Sequence, residues 1–153
     1  MKTLWAWLGR QTYRAGMRLF RIIGFRTRRT RALIVVGGEV LLVRNWLGSQ
    51  SWTLPGGGQR SGETAMGSIR RELVEEVGID LDEGFLRRLG TSARHSGRLV
   101  IEFETFWAVL EKQPAISVSR RELIGAAWFP VEDLPKPLSP LVEWALSRSG
   151  LLQ

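Results

Sequence analysis

Between Leu54 and Ile79 the chain reads LPGGGQRSGETAMGSIRRELVEEVGI, a run of glycines that hands over to a segment with helical periodicity. Taken as a helix from Thr64 to Val77 at 100° per residue, it gathers Met66, Ile69, Leu73 and Val77 into one narrow arc that must face a core. Thr64 or Ser61 offers a capping oxygen at its start, and Gly78 supplies the left-handed stop. On the same wheel Glu72, Glu75 and Glu76 lie together beside the apolar stripe, within about 100° by the helix geometry. Such a ledge of carboxylates is unfavourable by itself. Like charges at i and i+4 repel by roughly 0.2–0.5 kcal/mol, and negative charge near a helix C-terminus opposes the dipole. It is either a solvated acidic face neutralised by Arg70 and Arg71 or the anionic side of a cation site. Mg²⁺ suits the second reading, since it binds through a few carboxylates, waters and substrate phosphates. The glycine run suits it too, because the backbone there can approach closely and turn a main-chain carbonyl toward an ion.

Written by position, the stretch is Gly57, five residues, Glu63, seven residues, Arg71-Glu72-Leu73, one residue, Glu75-Glu76, one residue, Gly78-Ile79. In this spacing it resembles the Nudix box, the signature of hydrolases that cleave a nucleoside diphosphate linked to a further group, and every defining position is filled. The resemblance implies that Glu72, Glu75, Glu76 and the carbonyl of Gly57 hold Mg²⁺, with Mn²⁺ as a substitute. It implies that Arg71 pairs with Glu63 to keep helix and loop in register. Arg60 stands where many relatives carry a glutamate, which puts a positive group near the phosphate loop as a candidate substrate contact. Glu122, six residues before Trp128-Phe129-Pro130, resembles the late acidic position that reaches the metal site in many Nudix chains. It is the candidate general base and a further metal ligand; a box glutamate is the other source of the base, and a loop glutamate beside Arg120 and Arg121 is the plain reading. His95, before the Ser96-Gly97 turn, is a candidate contact to substrate phosphate or base, against the reading as a surface turn residue.

The chain has no cysteine and a single histidine, so neither a Ser-His-Asp set nor a cysteine nucleophile accounts for hydrolysis. Direct attack of water on phosphorus, without a covalent intermediate, is the expected course. The absence of cysteine also rules out a disulfide scaffold and points to a reducing, cytoplasmic setting. The expected activity is divalent-metal-dependent pyrophosphohydrolysis; the alternative is a catalytically idle Nudix-fold module that binds a nucleotide or docks to a partner. An intact set of box glutamates favours the enzyme.

Around the box, Arg31 to Val36 and Val40 to Arg44 are β-branched runs about a Gly37-Gly38-Glu39 turn. Trp52 to Leu54 leads into the glycines, Phe85 to Ala93 and Arg98 to Leu110 flank Ser96-Gly97, and Trp128 to Pro130 reads as a short strand. Ser139-Pro140 opens a closing helix through Ser147. This order predicts an α/β fold, with a mixed sheet between helices, the Nudix-type α/β/α sandwich.

The net charge of +7 is not spread evenly. Lys2, Arg10, Arg14, Arg18, Arg21, Arg26, Arg28, Arg29 and Arg31 give +9 with no acidic residue before Glu39, leaving −2 for the remainder. The chain therefore divides into a basic arm, residues 1–30, and a Nudix domain, residues 31–153. As a helix the arm sets Arg10, Arg14, Arg18 and Arg21 on one face and Trp5, Leu8, Tyr13, Leu19, Phe20 and Ile23 mostly on the other. The pattern fits packing on the domain, self-association, peripheral contact with a membrane, or attraction to nucleic acid or substrate phosphate, which charge alone does not separate. It is too short and too often broken by arginine to span one. No basic-aromatic interleaving of an RNA module is present, which argues against nucleic acid as the partner.

Overall fold

The run RTRRTRALIVV forms β1 (Arg26–Val36) and turns at Gly37 and Gly38, both with positive φ, into the antiparallel β2 (Glu39–Asn45). The computed structural model describes residues 26–152, so the helix expected in the basic arm lies outside the described residues. After β3 (Trp52–Thr53) come α1 (Ala65–Val77), a single 3₁₀ turn at Glu83–Phe85, β4 (Arg87–Ser96), β5 (Leu99–Val109), β6 (Leu123–Pro130) and α2 (Pro140–Ser149).

The strands form one mixed six-stranded sheet in the order β3-β2-β1-β5-β4, with β6 on the other edge of β2. β1 and β5 run parallel and the other pairs are antiparallel. Side chains alternate across the sheet, so the unbroken apolar run Ala32–Val36 is buried on both faces. Ala32 and Ile34 pack with Ile69, Leu73 and Val77 of α1 on one face. Leu33 and Val35 pack with Val142, Ala145 and Leu146 of α2 on the other. The sheet is thus sandwiched between helices, as the element order predicts, and each fully buried Leu or Ile contributes about 1.5–3 kcal/mol through the area it withdraws from water.

Several boundaries differ from the sequence reading. β1 starts at Arg26 rather than Arg31, because the long β5 pairs with it from Arg26↔Val100 onward and satisfies a stretch of backbone whose arginines hide any apolar period. β6 starts at Leu123 rather than Trp128, since β2 offers its free edge along Glu39–Asn45. Phe85 belongs to the 3₁₀ turn, not to β4, and Leu54 lies beyond β3. α2 continues to Ser149 and stops at a left-handed Gly150.

One irregularity positions the site. β1 bonds to β2 only beside the hairpin, at Val35↔Val40 and Val36↔Glu39, and then leaves it. The glycine loop fills the opening along β1: Ala32 N–H donates to Pro55 O, Thr30 N–H to Gly57 O, and Gln59 N–H to Arg28 O.

Candidate active site

α1 starts at Thr64, whose Oγ1 accepts from Gly67 N–H at 3.0 Å, and ends at Gly78 with φ of 71°. Ile69, Leu73 and Val77 are fully buried and Met66 packs against the same cluster, which fixes the rotation of the helix. That rotation divides the acidic ledge. Glu72 and Glu76 turn inward against the glycine loop and are buried, whereas Glu75 stays on the rim, its carboxylate held by Arg71 at 3.0 Å and Arg60 at 3.2 Å. Glu75, grouped with the other two on the wheel, lies on the solvent side of the core stripe, where it shares Arg71 Nη1 with Glu72.

Two glycines of the loop leave no room for a methyl group with the neighbours as they stand. A Cβ on Gly56, at φ of 128°, would lie 2.3 Å from Thr30 O, and one on Gly57 would lie 2.3 Å from the Glu72 carboxylate. Gly56 N–H donates to Glu76 Oε2 at 2.8 Å. Gly57 lines the cleft, and its carbonyl accepts from Thr30 N–H of β1 at 2.9 Å, which uses one of its two lone pairs.

Glu122 arrives from a distant part of the chain. Residues 117–122 are tied to the end of α1, with Ser117 N–H donating to Val77 O and Ser119 N–H to Glu76 O, both at 2.9 Å. From the other side Trp46 holds the same turn: its N–H donates to Glu122 O at 3.2 Å and its indole Nε1–H to Arg121 O at 2.6 Å. Glu72, Glu76 and Glu122 then present carboxylate oxygens all within 4.8 Å of one another. Burial first, then the charges of Glu72 and Glu122, push the Glu76 carboxyl up to about 7, against the pull of Gly56 N–H and Arg31.

Arg71 organises the outer side. Its Nε and Nη2 grip Glu63 in a two-pronged pair at 2.8 and 3.0 Å, Nη2 also donates to Gly58 O, and Nη1 reaches Glu72 Oε1 at 2.7 Å. The bond from Arg71, then the N–H of Arg60, holds the Glu63 carboxyl down at about 2, and Glu63, then Glu72, raise Arg71 in return. The pairing expected between Arg71 and Glu63 is thus present. Arg60 sits at the rim on Glu63 and Glu75. His95 lies in β4, exposed, and does not line the cleft at the carboxylates.

Glu72, Glu76, Glu122 and the loop Gly56–Gly58 border a cleft of about 480 Å³ at the opening of the sheet. A larger hollow of about 570 Å³ beside Arg28, Thr91 and Glu104 lacks the carboxylate cluster, so size alone does not mark the site. Three oxygen-donor side chains with mutual repulsion, in contact with a backbone that a Cβ would displace, fit a hard divalent cation. The motif gave no hint of Arg31, whose side chain lines the cleft although the residue is only 6% exposed. Burial draws its guanidinium down to about 10, with Glu76 and Glu72 pulling the other way, so it remains a cation at neutral pH. The only signal for it in the sequence was its place at the head of an apolar run.

The carboxylate set, the Arg71–Glu63 clamp and the helix-sheet-helix layers coincide with a match of the NUDIX domain family over residues 26–147. The chain belongs to the Nudix family. It is an enzyme of the pyrophosphohydrolase type, acting on phosphoric anhydride bonds. This Nudix chain is 29% identical over 133 residues to the uncharacterized Nudix hydrolase YvcI of Bacillus subtilis (strain 168), covering 80% of this chain and 81% of that one. It is 31% identical over 101 residues to diphosphoinositol polyphosphate phosphohydrolase 2 of Mus musculus, covering 65% of this chain and 54% of the relative. The Nudix chain thus matches about half the length of that mouse protein. A crystal structure of a MutT Nudix hydrolase from Burkholderia pseudomallei shares its fold, with a TM-score of 0.73 at 24% identity over 81% of this chain and 98% of that one.

Proposed function

We propose that this Nudix enzyme hydrolyses a nucleoside diphosphate linked to a further group, using Mg²⁺, or Mn²⁺ in its place, held by Glu72, Glu76 and Glu122. The observation that carries the reading is the meeting of three carboxylates from two separate segments within 4.8 Å, two of them buried. A merely solvated acidic face does not bury its charges. When bound, a divalent ion neutralises the anionic oxygens of the diphosphate and lowers the pKa of water beside it.

The chain's own residues supply position and proton transfer. Arg71 on Glu72 and Gly56 N–H on Glu76 each fix one carboxylate oxygen, so the donors need no reorganisation. The glycine loop lets phosphate oxygens approach the main chain. Glu122 is the exposed member of the set and takes the proton of the water that attacks phosphorus. No cysteine is present and the one histidine is on β4, which supports direct displacement rather than a covalent intermediate.

The test is a panel of nucleoside diphosphate derivatives assayed with Mg²⁺, with Mn²⁺ and in EDTA. Turnover is expected with either ion and not in EDTA. Glu76→Gln, which removes charge at near-constant shape, should lower kcat by about 10²–10³, the scale for losing one preorganised electrostatic group. Wild-type rates in that variant, or full activity in EDTA, would sink the proposed site.

A further inference from the structure

We infer that Arg29, Arg31 and Arg94 form an anion subsite beside the carboxylate cleft that takes a phosphate group of the substrate lying beyond the scissile diphosphate. The inference rests on the proposed hydrolysis and names a substrate class for it, a diphosphate whose attached group is itself phosphorylated.

The two faces of β1 are treated differently. Arg26 and Arg28, on the face of α1, are both paired with Glu102 of β5. Arg29 and Arg31 alternate onto the opposite face with Leu33 and Val35, where β5 offers Ile101, Phe103 and Thr105 and no carboxylate. Arg94 of β4 stands opposite Ile101 and joins them on that face. Among the described residues none of the three arginines is in an ion pair.

All three border a hollow of about 160 Å³, roofed by the β2–β3 connection and the start of α2, and no acidic side chain lines it. Arg29, Arg31, Asn45 and Leu47 line both this hollow and the cleft that holds Glu72, Glu76 and Glu122, so the two are contiguous. The hollow is smaller than the roughly 300–1,000 Å³ that enclose a whole organic ligand. It therefore accepts a group carried by the substrate, not the substrate entire.

Arg31 points to the charge of that group. It is 6% exposed, its Nε and Nη1 have no hydrogen-bond partner among the described residues, and its guanidinium carbon lies 6.0 Å from the centre of the Phe103 ring. A buried guanidinium with unmet donors is costly unless an anion completes it. Phosphate oxygens satisfy such donors, and guanidinium groups match them in two-pronged geometry.

The experiment uses the full chain with Arg29→Ala and Arg94→Ala; both arginines are accessible strand residues whose removal empties no core position. The kcat/KM for a dinucleoside polyphosphate, which carries phosphate beyond the cleaved bond, is divided by that for a nucleotide sugar, which does not. In parallel, inorganic tripolyphosphate is titrated in EDTA by calorimetry. Each substitution is expected to lower the ratio by about tenfold or more and to weaken tripolyphosphate by a similar factor, the scale for one charged hydrogen-bonding group. An unchanged ratio in both variants overturns the subsite even though hydrolysis persists. If the wild type cleaves neither substrate, the proposed hydrolysis fails on its own and tripolyphosphate decides the subsite: binding lost in both variants upholds it, and binding unaffected by both refutes it.

Discussion

Gly57 and Gly56 differ in what a methyl group would strike, and the difference separates function from stability. At Gly57 the obstacle is the end of the Glu72 side chain at 2.3 Å, which can swing aside. Gly57→Ala should therefore unfold near the wild-type denaturant midpoint yet lose most turnover, because the displaced carboxylate belongs to the cleft. At Gly56 the obstacle is the backbone oxygen of Thr30 at 2.3 Å, at φ of 128°. Gly56→Ala should cost about 1–3 kcal/mol or more, the scale of a residue held in a disfavoured backbone region; equal midpoints for the two variants would refute this contrast. Glu63 gives a pH prediction. Its carboxyl is held at about 2 by Arg71 and the N–H of Arg60, below the ordinary value of 4.5. A depressed pKa adds stability that is full above about 4.5 and is lost as pH falls toward 2. The melting temperature should fall through that window more steeply in the wild type than in Glu63→Gln, and parallel curves would show that the pair contributes nothing to folding.

At the scale of elements, the site depends on two segments pinned to α1. The helix is oriented by its buried stripe, so Leu73→Ala should cost about 2–5 kcal/mol as a large-to-small core change, measured by denaturant unfolding. The turn carrying Glu122 hangs on Trp46, whose indole N–H meets Arg121 O at 2.6 Å. Trp46→Phe keeps the backbone bond from residue 46 to Glu122 O but removes the indole donor. Because misplacement by about 1 Å can cost 10²-fold in rate, kcat should fall by about tenfold or more with a near-unchanged melting temperature. Full activity would mean that the turn is held by its bonds to α1 alone.

For the whole molecule, the opening between β1 and β2 is what makes room for chemistry, and β1 is the wall that holds the glycine loop. The charge pattern put a boundary after residue 30, but β1 crosses it, and Arg28 O and Thr30 N–H are the loop's anchors. We propose that Arg10, Arg14, Arg18 and Arg21 draw the chain to anionic vesicles; deleting residues 1–25 should then abolish a salt-sensitive binding that the full chain shows, since clustered basic charge acts through screened fields, and equal binding by both proteins would refute this. Deleting residues 1–30 should in addition reduce hydrolysis at least tenfold relative to the shorter deletion, because misplaced groups near the chemistry are costly. Equal turnover by the two truncated proteins would refute the anchoring role of β1. No described helix is long and apolar enough to cross a membrane.

Local periodicity and spacing carried the α1 stripe, the caps at Thr64 and Gly78 and the Gly37-Gly38 turn, because each depends on residues a few positions apart, whereas the Arg71–Glu63 pair was legible through the resemblance to the Nudix box. A wheel shows which glutamates lie beside the stripe but not how far the helix is rolled against the sheet. Only packing decided that Glu72 and Glu76 are buried against the glycine loop while Glu75 stays on the solvent side. Glu122 was legible only as a resemblance, since nothing local ties it to residues 72 and 76. Arg31 was unreadable as a site residue. Its burial, its missing partners and its place between the carboxylates and the basic hollow arise where β1, β5 and the glycine loop meet, and contacts between residues so far apart in sequence exist only in the folded chain.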